Sequence, residues 1–492
     1  MFKKIFNAAL LNFWLFIAFA CGIIFAFYFA SLPIFIFTFI TSVILVLFFY
    51  KQQQFLLSDI FIILLFFSLG ALSYLPYSYN DADDFLGGEN TYVLKVSSLP
   101  QKYLSKNAFL AEINEINGIP VMLRARVIDY DKKMDYLDKY KVTGKLSERQ
   151  FNNFKFYTLW VKTNAYQEKL AMNMWDKATK QLSYRLLDIF KKNLNHESYR
   201  FLGSVFLGRR ELLDKEEKGI FTDAGIAHLL AISGSNIGLT AVVLFFMLKL
   251  FNVKFKICLL ISMFFLFLYT FMTGANPPVL RATIMYAVLS FSFFVKKKLN
   301  PFNSLGLAGI ICLLVNPSWL LDVGFQLSFL SIFALILGFK ILPVRPSKIE
   351  IVNQIKYLFF SSFYVTILIT PLVAYYFGRI YVLSIFNNII LIPFFSFILT
   401  INFLLLVFSP FKLIAQAVGS MLCALIPLFY NLSKFLGSIN FSFIYCKFSV
   451  KAIFIYYFSL AAILIFLVNR KSKADNKVES EVPRAILKDE PS

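Results

Sequence analysis

The chain has 492 residues, 59% of them hydrophobic, and a mean hydropathy of +0.69. No soluble core of this size absorbs so much apolar side chain, so the composition excludes an ordinary soluble protein and indicates a polytopic membrane protein. The net charge is +21, yet residues 77–201 hold 20 Lys and Arg against 15 Asp and Glu, a net of only +5. The remaining excess lies mostly in short segments between apolar runs, which makes it a topology signal before a nucleic-acid signal.

The N-terminal "MFKKIFNAALLNFWLFIAFACGII" has the basic start and apolar stretch of a signal peptide, but no small-x-small cleavage site follows. It reads as an uncleaved first span. Apolar runs near 10–29, 32–50 and 57–76 predict three helices, grouped as a unit over 1–78. After a polar interval, further runs fall near 226–248, 257–274, 278–295, 301–316, 319–341, 357–377, 383–409, 413–437 and 450–469. The fold class expected is a polytopic α-helical membrane protein of about twelve spans, with 226–469 as the larger helical domain. Lys3/Lys4, Lys51, Lys249/Lys254/Lys256, Lys296–Lys298, Lys340/Arg345/Lys348/Lys356, Lys412 and Arg470/Lys471/Lys473 occupy every second boundary. The positive-inside rule then puts both termini in the cytoplasm and residues 77–225 on the extracytoplasmic side.

Within 79–170, "TYVLKVSS", "NAFLAEINEI", "GIPVMLRARVI", "DKYKVTGKL" and "FYTLWVKT" alternate apolar and polar residues between Gly, Pro and Asn breaks. Five such strands suggest a small antiparallel barrel of the OB-like kind. Asp129, Asp131, Asp135 and Asp138 crowd one of its loops. Over 171–225, Met174, Ala178, Leu182, Leu186, Ile189 and Phe190 recur at helical spacing, which predicts an amphipathic helix on the membrane surface or against the bundle. The polar tail 470–492 is expected to be disordered.

Four motif-like stretches interrupt this plan, and a fifth only imitates a known motif. "HLLAISGSNIGL" (228–239) places polar groups at the start of a span, where hydrocarbon penalises every unpaired one. At 100° per residue His228, Ser233, Ser235, Asn236 and Thr240 share about half the circumference, while Gly234 and Gly238 lie opposite. Helix packing with back-bonded Ser and the lining of a translocation path are both consistent with this. Ser–His catalysis is disfavoured, since His228 precedes Ser233 on the same segment and no other span carries a His. "GANPPVLRA" (274–282) puts Arg281 one turn into a helix begun by Pro, and "LLDVGFQLSF" (320–329) carries Asp322 and Gln326. Arg281 and Asp322 either pair or line a path. "FGRI" adds Arg379 near an outer boundary. "GSVFLGRR" (203–210) has the Gly spacing of a phosphate loop, but Arg209 and Arg210 stand where Lys and Ser/Thr are needed, so no ATPase is expected. Five Cys without a CxxC, and only two His, support neither a zinc site nor a disulfide framework.

"FLGRRELLDKEEKGIFTDAGIAHLLAISGSNIGL", "PPVLRA", "LLDVGFQLSF" and "FGRIYVLSIFNNIILIP", in this order, resemble the competence domain of the ComEC family of DNA-internalisation proteins. "DKYKVTGKL" is similar to that family's extracytoplasmic OB-like domain. The resemblance implies a channel that passes single-stranded DNA through the cytoplasmic membrane during natural transformation. The implied partners are a DNA receptor, a separate nuclease and a cytoplasmic helicase, with a homo-oligomer left open. It implies His228, Ser233, Gly234, Arg281, Asp322, Gln326 and Arg379 as path residues, with Ser235 and Asn236 standing where the family usually has Leu-His. In the barrel, Lys141, Lys145, Lys155, Tyr140 and Trp160 are candidate contacts for the strand. Many members also carry a metallo-β-lactamase-like nuclease domain, but two His cannot build its two-metal site, so neither enzymatic activity nor any cofactor or metal is expected. The alternatives are a transporter or flippase for another anionic polymer or lipid-linked substrate, and more remotely an intramembrane hydrolase.

Overall fold

The computed structural model describes residues 11–29, 32–51, 55–78, 82–98, 101–103, 106–131, 134–151, 154–162, 165–230, 234–273, 277–295, 300–439 and 442–481. The first three apolar runs form α1 (Leu11–Tyr28), α2 (Leu32–Lys51) and α3 (Phe55–Ser78). Helices α1 and α3 touch backbone to backbone: a Cβ on Gly70 would collide with the Phe19 carbonyl. Small residues permit such an approach where dispersion rather than hydrophobic burial drives helix association.

Strands β1 (Glu89–Val96), β2 (Gln101–Tyr103), β3 (Lys106–Ile116), β4 (Ile119–Asp129), β5 (Lys139–Phe151), β6 (Phe154–Val161) and β7 (Tyr166–Leu170) make one sheet. Its order β1-β3-β4-β6-β5 closes through a β1–β5 pairing. All pairings within this ring are antiparallel except β4–β6, which is parallel. That is a closed five-stranded OB-like barrel, with β2 appended to β3 and β7 to β5. The five expected strands are its staves. The two appended strands are too short and polar to show in an alternation pattern. Tyr92, Leu94, Phe109, Val127, Val142 and Leu159 fill the interior from alternate positions.

The amphipathic segment forms α4 (Met174–Asn193), but its buried face is Thr179, Ser183, Leu187 and Phe190. Of the apolar stripe read from the sequence, Met174, Ala178 and Leu182 are exposed. The reason lies in its neighbours: small Thr and Ser side chains admit a close approach, and Ser183 accepts a hydrogen bond from Arg209 at 2.7 Å. Helices α5 (His196–Val205) and α6 (Lys215–Asp223) follow, the latter begun by a capping box between Asp214 and Glu217.

The remaining helices are α7 (Ala227–Leu230), α8 (Gly234–Leu250), α9 (Phe255–Met272), α10 (Pro277–Val295), α11 (Pro301–Val315), α12 (Val323–Ile341), α13 (Glu350–Phe377), α14 (Ser384–Phe408), α15 (Lys412–Ser438) and α16 (Val450–Glu481). A two-stranded ribbon, β8 (Arg379–Tyr381) with β9 (Phe443–Tyr445), ties the end of α13 to the loop before α16. Among the described residues, α1, α9, α12, α13, α14 and α15 are long and apolar enough to cross a membrane, and six other apolar helices are shorter. One of the expected continuous spans is divided: 319–341 opens with a 3₁₀ turn (Pro317–Leu321) before Asp322 caps α12. Within 226–248 the described residues form α7 and α8. The last helix runs on to Glu481, correcting the expectation of disorder from 470, since Lys, Ala and Glu there are strong helix formers.

Candidate functional site

The four motif stretches pair two by two at one end of the bundle. In the first pair, α6 ends at Asp223 and the chain turns through Gly225, whose φ of +77° suits a residue without a Cβ. A Cβ there would also stand 3.0 Å from that of Ser384 at the start of α14. Around this turn, Arg379 Nη1 donates to Asp223 Oδ1 (2.8 Å), Asn387 Nδ2 to the Ala224 carbonyl (2.9 Å) and the Ser442 hydroxyl to the Asp223 carbonyl (2.8 Å). The Arg379 guanidinium lies over Phe443, 4.4 Å from the ring centroid, which fixes its plane. Arg379 therefore clamps two motifs together. His228 follows three residues after Gly225 and has accessible surface.

The second pair joins α10 to α12. Arg281 is 2% exposed, and its Nη1 lies 3.6 Å from Asp322 Oδ1. Asp322 spends that oxygen on the Phe325 amide (2.8 Å) as the N-cap of α12. Of the two sequence readings of these residues, pairing is what the geometry shows. Gln326 then connects the pairs: it donates to the Leu320 carbonyl (3.0 Å) and accepts from the Tyr376 hydroxyl (3.0 Å), three residues before Arg379. Helices α8, α12 and α14 begin at these motifs, and Lys249, Lys340 and Lys412 stand at or just beyond their far ends.

Ser233 lies outside the described residues. Gly234, Ser235 and Asn236 open α8 by backbone, and their side chains are likewise outside what is described. On the barrel, Lys141 and Lys145 are exposed, and the side chain of Lys155 lies outside the described residues. Tyr140 is 1% exposed, so its assignment as a strand contact is corrected: it is core, its hydroxyl donating to Asp138 (3.0 Å). Trp160 is partly exposed and donates to Ser147 (3.0 Å). Sequence reasoning missed Lys106, whose ammonium stands 3.7 Å from the Tyr130 ring centroid and 5.8 Å from that of Trp160. It also missed Asp223, Tyr376 and Asn387. The one signal for Asp223 was an acid beside a glycine turn, in a family block with an unpaired Arg downstream.

The crowded acids are not a repulsive surface. Buried Asp129 accepts the amides of Asp131 (3.0 Å) and Met134 (3.2 Å). Asp138 binds Lys169 (2.6 Å) and Lys180 (2.9 Å), and Asp135 binds Lys180 (2.7 Å) and the Tyr184 hydroxyl (2.8 Å). Arg209, 3% exposed, lays its guanidinium 3.3 Å from the Tyr136 ring centroid. This loop is the joint that docks the barrel on α4 and the bundle.

Apolar helices with a polar cluster at one end and an OB-like barrel docked beside them define a helical membrane protein with an appended OB-like domain. Residues 205–471, more than half of the chain, match the family model described as Competence protein, and the chain belongs to that family. It is 32% identical over 202 residues to ComE operon protein 3 of Bacillus subtilis, covering 41% of this chain and 25% of that protein. It is 26% identical over 220 residues to Recombination protein 2 of Haemophilus influenzae, covering 42% of this chain and 28% of that one. These matches thus span little more than a quarter of either relative. No solved structure matches.

Proposed function

We propose that the chain carries single-stranded DNA across the cytoplasmic membrane during natural transformation, entering at the barrel end and leaving at the lysine-rich end. The observation that carries this is the convergence of all four motif stretches into one connected polar mouth beside an OB-like barrel. On this reading the twelve apolar helices all cross the bilayer, the lysine-rich end is cytoplasmic with both termini, and the barrel is extracytoplasmic. The exposed Tyr130, Trp160, Lys141 and Lys145, with the half-buried Lys106, offer stacking and phosphate contacts to guide the strand. The mouth acts as a passage and not as a catalytic centre. Duplex capture, degradation of the second strand and pulling from inside fall to separate partners: a receptor, a nuclease and a helicase.

The test is transformation frequency with purified chromosomal DNA in the source organism, at matched protein level. Asn236→Leu, which replaces the amide of a candidate path residue by an apolar side chain, is expected to cut the frequency to near that of a strain lacking the gene. Unchanged transformation in the strain lacking the gene, with an altered envelope instead, would replace DNA by another anionic polymer or lipid-linked cargo.

A further inference from the structure

The Arg281–Asp322 pair is lopsided. Two of the guanidinium nitrogens, Nε and Nη1, have no hydrogen-bond partner, although the residue is almost fully buried. At 3.6 Å the contact with Asp322 is an ion pair without a hydrogen bond. The Asp322 side chain is 52% exposed and already committed to a helix cap. A dry guanidinium with orphan donors is costly unless something else completes its coordination. The way in is Gly324: its missing Cβ would stand 2.9 Å from Asp322 Oδ1 and 3.3 Å from Arg281 Nη2. Any side chain there would stand in the approach to the guanidinium. The same place is the N-terminus of the 19-residue α12, where the first-turn amides of Val323 and Gly324 have no partner within the helix and the dipole favours an anion.

We propose that Arg281 and the first-turn amides of α12 form a seat for one backbone phosphate of the passing strand, with Asp322 as a resident competitor that keeps the seat weak. The proposal rests on the DNA reading above for the identity of the phosphate. A path must bind its cargo well enough to admit it and loosely enough to release it. A lone buried Arg would hold a phosphodiester too long, and a carboxylate 3.6 Å away offsets part of that attraction.

Two arms test the seat on the full chain in a maltoside detergent, which carries no phosphate. In the first, inorganic phosphate replaces chloride at matched ionic strength and the thermal midpoint is read. The midpoint is expected to rise for the native chain, to rise further for Asp322→Asn, and not to respond in Arg281→Gln or Gly324→Ala. In the second, a labelled single strand is titrated across salt concentrations. Asp322→Asn is expected to bind roughly three- to fivefold tighter, the size of a partly screened charge contact. Arg281→Gln is expected to flatten the slope of log K against log salt by about 0.7, one phosphate contact on a single strand. Because Asn retains the cap, Asp322→Asn remains informative even if Arg281→Gln fails to fold. A phosphate response identical in all variants, or strand binding by the native chain that Asp322→Asn does not tighten, overturns the seat. Equal strand binding by all variants would leave the DNA reading standing and remove the seat from it. The expected phosphate responses with no strand binding by any of them would keep the seat and remove DNA as its cargo.

Discussion

Two buried ionic clusters in this molecule are built to opposite specifications. At the barrel joint, Asp138 is 1% exposed and meets two ammonium groups and a hydroxyl, all within 3.0 Å. At the mouth, Arg281 is equally buried but keeps two nitrogens without a hydrogen bond and faces an acid that leans into solvent. A fully satisfied network fixes one arrangement, because every alternative loses contacts. An incompletely satisfied one leaves a vacancy that a ligand can fill. On the reading proposed above, the difference separates the part of the molecule that holds its domains together from the part that meets the strand.

That contrast can be broken most directly at Asp138. Asp138→Ala leaves Lys180 with Asp135 as its one carboxylate and removes the acceptor of Lys169 and of the Tyr140 hydroxyl, and losing this set of charge-assisted hydrogen bonds costs about 3 kcal/mol. Thermal denaturation of the purified chain should show a clear fall in the midpoint, and limited proteolysis should cut the barrel away from the bundle. An unaltered midpoint would mean that the joint is not stabilised by its charges. Next in size is Arg209→Met, which keeps much of the side-chain volume but loses the bond to Ser183 and the cation over Tyr136. Together these are worth about 2 kcal/mol, read as faster protease release of the barrel with strand passage impaired less than release would suggest. The smallest effect concerns pH. Burial pulls the Asp135 carboxyl up, but hydrogen bonds from Lys180, Tyr184 and the Tyr136 amide outweigh it and hold it below the usual carboxylate range. A depressed carboxyl contributes stability above its unfolded value, about 3.9, and loses it as pH falls through the lower folded value. The joint should therefore be indifferent between pH 8 and 5 and loosen only below about pH 4. Loosening between pH 7 and 5 would assign the docking to some other group.

Much of this architecture is written in hydropathy. Each apolar run became a helix, and each alternating segment became a stave of the barrel, because burial against lipid or core acts on the side chain wherever it sits. What the sequence concealed is long-range partnership. The docked face of α4 was only half visible in its apolar stripe: Phe190 belongs to both, but the face also uses Thr179 and Ser183, which a hydrophobicity reading assigns to water. Tyr140 looked like a stacking residue until Asp138 claimed its hydroxyl. The acids at 129–138 looked like free negative charge because their lysines lie 31 and 42 residues further along the chain. Arg379 seemed to belong to a membrane boundary, and only the fold brings Asp223 to it across 156 residues.

The length of α11 has a mechanical consequence. Fifteen helical residues rise about 22 Å, against about 30 Å of hydrocarbon in a typical bilayer. The 3₁₀ turn and the Asp322 cap follow at once, so the polar mouth begins where a full-length span would still be greasy. In a bilayer this mismatch is relieved by local thinning on the flank of the bundle that carries α11. On the reading proposed above, a thinned flank would set Arg281 and Asp322 below the headgroup plane of the surrounding bilayer and shorten the dry part of the crossing. A polyanion would then have a narrower dielectric barrier to traverse than the membrane around it would impose.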